Sequence, residues 1–284
     1  MRTIRQLQHG LQPHSYTCSK ATHNSLLTCW AQNCLEIMGS NAIIRGCTEQ
    51  ITKPWSFSVH KASFTKLFRY MHVILDLNFG STVSLEKDWL SGGVNPHIKK
   101  FFVFFDACRR GFFEGCKQFV GIDGCHLKGL YKGVLLSTVS IDANYGIYPL
   151  AMCVVETENT DSWVYFMEKL YDQIGYNDGE SLYFMSDRQN DILNALDRTF
   201  PKAMRRYCCR HIYANFKLKF PGILLRKEFW AACRSGNQVE FNNHMAEINS
   251  ISPAAHRWLL QIHVTCWAKH CFPNKPSAHM SQTI

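Results

Sequence analysis

From residue 118 onward the hydrophobic and polar positions fall into short runs with a clear period. QFVGID (118–123), GVLLSTVSID (133–142) and YPLAMCVVE (148–156) are rich in aliphatic and β-branched residues and are separated by Gly, Asn and Asp, which predicts three consecutive strands. TDSWVYFMEKLYDQIG (160–175) then places Trp163, Phe166, Met167, Leu170 and Ile174 at helical spacing behind Thr160 or Asp161, either of which suits an N-cap. LYFMSD (182–187) predicts a fourth strand, RQNDILNALDRTF (188–200) a second helix and AMRRYC (203–208) a fifth strand. The order βββαβαβ predicts an α/β fold: a mixed sheet with helices packed on its faces. From His211 to about residue 262 the pattern is helical, with breaks at Pro221 and Pro253, so a helical insertion follows the fifth strand.

The first hundred residues read less regularly. SLLTCWAQNCLEIM (25–38) and FTKLFRYMHVILDL (64–77) have helix-like apolar spacing, and SGGVNP (91–96) reads as a linker. The expected organisation is a mainly helical region over 1–95, the α/β core over 96–210 and the helical insertion over 211–284.

Composition narrows the function. At 46% hydrophobic and 19% charged residues, the 284-residue chain has material for a sizeable core, which excludes a wholly disordered protein. Lys and Arg exceed Asp and Glu by 31 to 22, and the net charge of +9 favours polyanionic partners, although the basic residues are dispersed. Thirteen cysteines, an odd number with no apolar leader before them, fit a reducing compartment better than a disulfide framework. No stretch approaches the roughly 20 apolar residues that a membrane-spanning helix requires.

Candidate chemistry gathers at strand ends. Asp123 ends the first predicted strand in GIDGCHLKG (121–129), and Asp187 ends the fourth. If the fourth strand lies beside the first, the two carboxylates meet at one sheet edge, where their repulsion favours a hard divalent cation such as Mg²⁺ or Mn²⁺ between them. An Asp after a strand is also an ordinary turn or capping residue, and on pattern alone that reading is the commoner one. Among other carboxylates, Asp142 falls in a hairpin turn, Asp161 at a helix start and Asp191 on a helix face. Cys208 and His211 form a C-x-x-H pair, only two of the four ligands that a structural zinc site normally uses, so packing or hydrogen bonding is the commoner role for such a pair. Cys125 and His126 lie beside Asp123 without a nucleophile elbow, and Lys128 and Lys132 offer positive charge for a DNA backbone. His14 with Cys18, and Cys266 with His270 and Cys271 on one helical face, are weaker ligand patterns.

GFFEGCKQFVGIDGCHLKGLYKG (111–133) resembles the first catalytic block of plant Mutator-like (MULE) DNA transposases. YPLAMCVVETENTDSWVYFMEKL (148–170), FMSDRQNDILNAL (184–196) and FPKAMRRYCCRHIYANFKLKF (200–220) resemble the family's successive blocks in order and spacing, so the resemblance covers about residues 100–270. More faintly, residues 14–41 resemble the end of the family's N-terminal zinc module.

The resemblance implies an RNase H-like DDE transposase core, with Asp123 and Asp187 as the first two acids and Cys208 and His211 as the family's C-x-x-H signature. It further implies Mg²⁺ or Mn²⁺ as cofactor, DNA as partner, self-association and a nuclear location, and it leaves open whether Cys208 and His211 bind Zn²⁺ or form a structural pair. The third acid, a Glu in the family, is expected beyond CFPNKPSAHMSQTI (271–284); Glu228, Glu240 and Glu247 fall in the helical insertion instead. The expectation is therefore a DNA-binding chain with impaired catalysis, truncated at both ends. A domesticated, non-catalytic DNA-binding regulator and a decayed relic are the alternatives.

Overall fold

The computed structural model describes residues 57–88, 97–127 and 133–271. All of them lie in one of the two compact units into which the chain divides, Thr52–Ile284; the other, Met1–Ile51, and with it the expected helix over 25–38 and the His14/Cys18 pattern, falls outside the described residues.

The described residues form a mixed α/β fold around a seven-stranded sheet in the order β1-β2-β5-β4-β3-β6-β7. The strands are β1 Thr82–Asp88, β2 His97–Phe104, β3 Phe119–His126, β4 Val134–Ile141, β5 Ile147–Val155, β6 Tyr183–Ser186 and β7 Met204–Tyr207. The three expected strands become the antiparallel meander β3, β4, β5, and β6 and β7 join in parallel on the β3 side. Helix α1 (Phe57–Leu77) contains the expected helical stretch over 64–77.

Three elements went unforeseen. β1 pairs antiparallel with β2, and β2 with β5, so the sheet crosses the boundary expected at residue 95, and the region expected to be mainly helical contributes a strand. The cause is tertiary: TVSLEKD carries too much polar character to read as a strand alone, but its backbone groups are satisfied by β2. Helix α2 (Asp106–Gly115) follows β2, buries Phe112 and receives a hydrogen bond from the Tyr148 hydroxyl at the Ala107 carbonyl, 3.2 Å.

Helix α3 (Thr160–Ile174) buries Trp163, Phe166, Met167, Leu170 and Ile174, the stripe its spacing predicts. Its N-cap is Asn159, not Thr160 or Asp161: the Asn159 side chain accepts from the Ser162 amide at 2.9 Å, which starts the helix one residue earlier than expected. With α4 (Asn190–Thr199) it covers one sheet face over Phe102, Ile122, Leu136 and Cys153.

Beyond β7 the chain is helical, as its pattern predicts: α5 (Cys209–Lys219), α6 (Ile223–Arg234), α7 (Gln238–Ile251) and α8 (Pro253–Leu260). Pro221 follows α5, and Pro253 opens α8 at a position where its missing N–H costs nothing. These helices enclose a second core in which Phe229 stacks on Trp267 at 5.9 Å and on Phe216 at 5.3 Å. Buried Arg206 on β7 ties this core to the sheet by donating to the carbonyls of Thr265 and of Ala268, the latter at 3.0 Å. No described helix is long and apolar enough to cross a membrane.

Candidate functional site

The parallel register of β3 and β6 builds the site. Phe119 pairs with Tyr183, Val120 with Phe184 and Gly121 with Met185. The pairing stops at Gly121 and Met185, and the chain carries Asp123 and Asp187 on to the same sheet end, close enough for the Asp187 charge to act on Asp123, whose side chain alternates to the face of Phe119. Backbone amides orient each carboxylate: Asp123 Oδ1 accepts from Gly124 at 2.9 Å and Asp187 Oδ1 from Gln189 at 3.2 Å.

Electrostatics work against ionisation of Asp123. Burial, with Asp187 and Glu158 adding like charge, pushes the Asp123 carboxyl up to about 6, while His211 and the Gly124 amide oppose the rise. His211 and Cys208, expected as a separate constellation, are thus brought to the same place. Cys208 continues β7 by donating its amide to the Ser186 carbonyl at 2.9 Å, and its own carbonyl accepts from His211 and Ile212 as α5 begins, each at 3.0 Å. Burial raises the Cys208 thiol above its ordinary value, and the Asp123 charge adds to the rise.

Glu158 is the residue that the sequence reading passed over. Its carboxylate occupies the space that a Gly124 side chain would fill, since a Cβ there would sit 2.7 Å from Glu158 Oε1. Gly124 faces away from Asp123, so Glu158 stands at the same sheet end but on the opposite face. Trp163 Nε1 donates to it at 3.2 Å, and burial raises its carboxyl, with Asp187 adding to the rise and His126 opposing it. The turn that bears Glu158 is pinned to the turn after Asp187, because the Thr160 hydroxyl donates to Asp191. The only sequence signal was position: Glu158 follows β5 within three residues of its end, at the sheet end that also carries His126.

The remaining candidates take structural places. Asp142 Oδ1 accepts the amides of Asn144 and Gly146, at 2.8 and 2.7 Å, as a hairpin turn residue does. Asp161 lies in the first turn of α3, where a negative charge is favoured, and Asp191 is the tether to Thr160. Burial leaves Cys125 only partly covered beside Asp123. Cys266 and His270–Cys271 sit in two separate 3₁₀ turns, Val264–Cys266 and Lys269–Cys271, rather than on one helical face as expected. Glu228 accepts from or shares a proton with His244 Nδ1 at 2.7 Å, and Glu240 accepts the Gly236 amide at 2.9 Å, both among the helices. Lys128 and Lys132 lie outside the described residues. Among the described residues no group of three or more His, Cys, Asp and Glu side chains forms a ready-made metal cage.

Residues 119–215 match the family model of the MULE transposase domain. Asp123, Glu158, Asp187, Cys208 and His211 all fall within that span. No curated protein matches the chain. The family match supports a MULE-type transposase and a transposase-related function.

Proposed function

We propose that this chain is the DNA-processing core of a Mutator-like transposase that acts on phosphodiesters through Asp123 and Asp187. The observation that supports the reading is the parallel β3–β6 pairing, which leads Asp123 and Asp187 to the same sheet end, where the charge of Asp187 acts on Asp123, inside the matched span. The order β5-β4-β3-β6-β7, a meander extended by two parallel strands, supports an RNase H-like core, to which β1 and β2 are added at the far edge.

The donor set suits a hard divalent cation, Mg²⁺ or Mn²⁺: two oxygen ligands whose mutual repulsion and burial a positive charge would relieve. When bound, such an ion polarises phosphoryl oxygens and acidifies water or a 3′-hydroxyl. Asp123 and Asp187 would hold it, with the Gly124 and Gln189 amides keeping their carboxylates in place. Glu158 faces the other side of the sheet, so two carboxylates do the work of three, and the reaction is slow. Cys208 and His211 bound the site as a structural pair rather than as zinc ligands. DNA as substrate implies a nuclear location.

The test is nicking of a labelled DNA duplex by the purified, folded chain in Mn²⁺, with Asp123→Ala and Asp187→Ala beside it. Slow nicking lost in both variants supports the reading. Equal nicking in parent and variants overturns it, and DNA binding with no cation-dependent nicking replaces it with a non-catalytic DNA-binding regulator.

A further inference from the structure

The residue after Asp187 opens a surface of different chemistry. Arg188 is exposed, and its guanidinium lies 6.0 Å from the Tyr207 ring centroid and 5.9 Å from that of Trp258. Lys219, exposed at the end of α5, brings its ammonium to 5.9 Å from the same Trp258 ring. These distances stand at the outer reach of a cation–π contact, so the cations flank the ring without being clamped to it. Neither Arg188 nor Lys219 forms an ion pair with a carboxylate among the described residues. Trp258 is half-buried, with Phe216 at 5.9 Å and Phe220 at 6.4 Å supporting it from the core.

The wider surroundings are basic. Residues 209–271 hold eight Lys and Arg against three Glu, so this quarter of the chain carries a formal +5 of the total +9. One of those three acids, Glu228, already faces His244 at 2.7 Å.

We infer that Arg188, Tyr207, Trp258 and Lys219 form a binding strip for single-stranded nucleic acid, in which Trp258 stacks on a base and the two cations take the flanking phosphates. Flat rings interleaved with unpaired cations are what a strand offers partners to: every base has a π face and every linkage a negative charge. An acidic peptide would satisfy the cations but leave the indole without a planar partner. The strip stands apart from the acid pair: Tyr207 pairs with Ser186, so alternation sends its ring to the sheet face opposite Asp123, and the inference does not rest on the chemistry of the acids.

The test measures binding of a fluorescently labelled single-stranded oligonucleotide in EDTA, where no cation-dependent cleavage contributes. The protein is the full chain, and the variants are Trp258→Leu, which keeps apolar bulk against Phe216 and Phe220, and the exposed Lys219→Gln. Loss of a stacked base should weaken Trp258→Leu by about 5- to 150-fold. Lys219→Gln should weaken binding less and flatten its salt dependence by about one phosphate contact. An oligonucleotide of abasic sites should bind the parent as weakly as it binds Trp258→Leu. The strip is overturned if a folded Trp258→Leu binds the ordinary oligonucleotide as the parent does, or if the parent fails to distinguish ordinary from abasic strands. Because nicking depends on Asp123 and Asp187 and this binding does not, loss of either result leaves the other standing: binding without nicking sinks the catalytic reading alone, and nicking with unchanged Trp258→Leu binding sinks the strip alone.

Discussion

The sheet and the helices that follow it solve the same packing problem with different materials. The sheet core interleaves aliphatic side chains from several strands, Val120, Ile122, Leu136, Leu150 and Val155, with the aromatic stripe of α3. The helical core sets Ile212, Leu225, Ile248 and Leu259 around rings that stack, Phe216, Phe229 and Trp267, whereas Phe102 and Trp163 in the sheet core meet Phe166 edge to face. Charge follows the same division: the sheet gathers Asp123, Glu158 and Asp187 at one end, whereas the helices carry a basic excess. Backbone register positions functional groups to within one residue, and a one-residue slip would send Asp123 to the other face. Ring packing gives no such index, so the helical part contributes surface and charge, and the sheet contributes geometry.

The comparison breaks most visibly at Trp267, which is buried and stacks on Phe229. Trp267→Ala should cost about 3–5 kcal/mol. Hydrogen exchange should show amides of α6 and α7 losing protection while those of β3 and β4 keep theirs, as expected of two cores that open separately. A uniform loss of protection would mean that the Arg206 link fuses them into one cooperative unit.

At the sheet end the expected sign is reversed. The Asp123 carboxyl is held up at about 6, above its ordinary 3.8, chiefly by burial. The folded state therefore pays for ionising it: the cost is absent below the ordinary value, grows as pH rises from there to about 6, and is complete above that. Asp123→Asn should raise stability by about 1–2 kcal/mol at pH 7.5, after allowance for solvent screening, and by almost nothing at pH 3.5. Urea denaturation at the two pH values checks this, and a destabilised variant at pH 7.5 would show that the carboxylate is better solvated than its burial implies.

The smallest effect sharpens the comparison at matched positions. Asn159 caps α3 on the sheet side and Ser252 caps α8 on the helical side, each accepting an amide hydrogen bond, from Ser162 at 2.9 Å and from Ala255 at 3.2 Å. Either residue changed to Ala should cost about 1 kcal/mol. Only Asn159→Ala should also disturb the neighbouring Glu158, visible as a changed pH dependence of thermal melting.

What was legible follows the range of the interactions. The runs over 118–156 and the stripe from Trp163 to Ile174 declare themselves because each element buries a face of its own, and Asp123 and Asp187 are found because strand ends are where a register can bring acids together. β1 and β2 are not legible in that way: their strand character comes from partners, Phe104 opposite Thr82 and Val155 opposite Lys100, and not from a period within each run. Glu158 escapes for the same reason, since its place depends on the Thr160–Asp191 tether and on the missing side chain at Gly124. The C-x-x-H pair was visible as residues but not as neighbours of Asp123, because the turn from β7 into α5 is what delivers it.

The parallel pairing of β3 with β6 also sets the order of events as the chain folds. The meander β3–β4–β5 joins strands that follow one another closely in the chain, whereas β6 reaches β3 only after α3 and the residues between have been gathered in, a long loop to close. The acid pair does not exist until that closure is made, so the like charge of Asp187 reaches Asp123 only when the meander is already there to hold it.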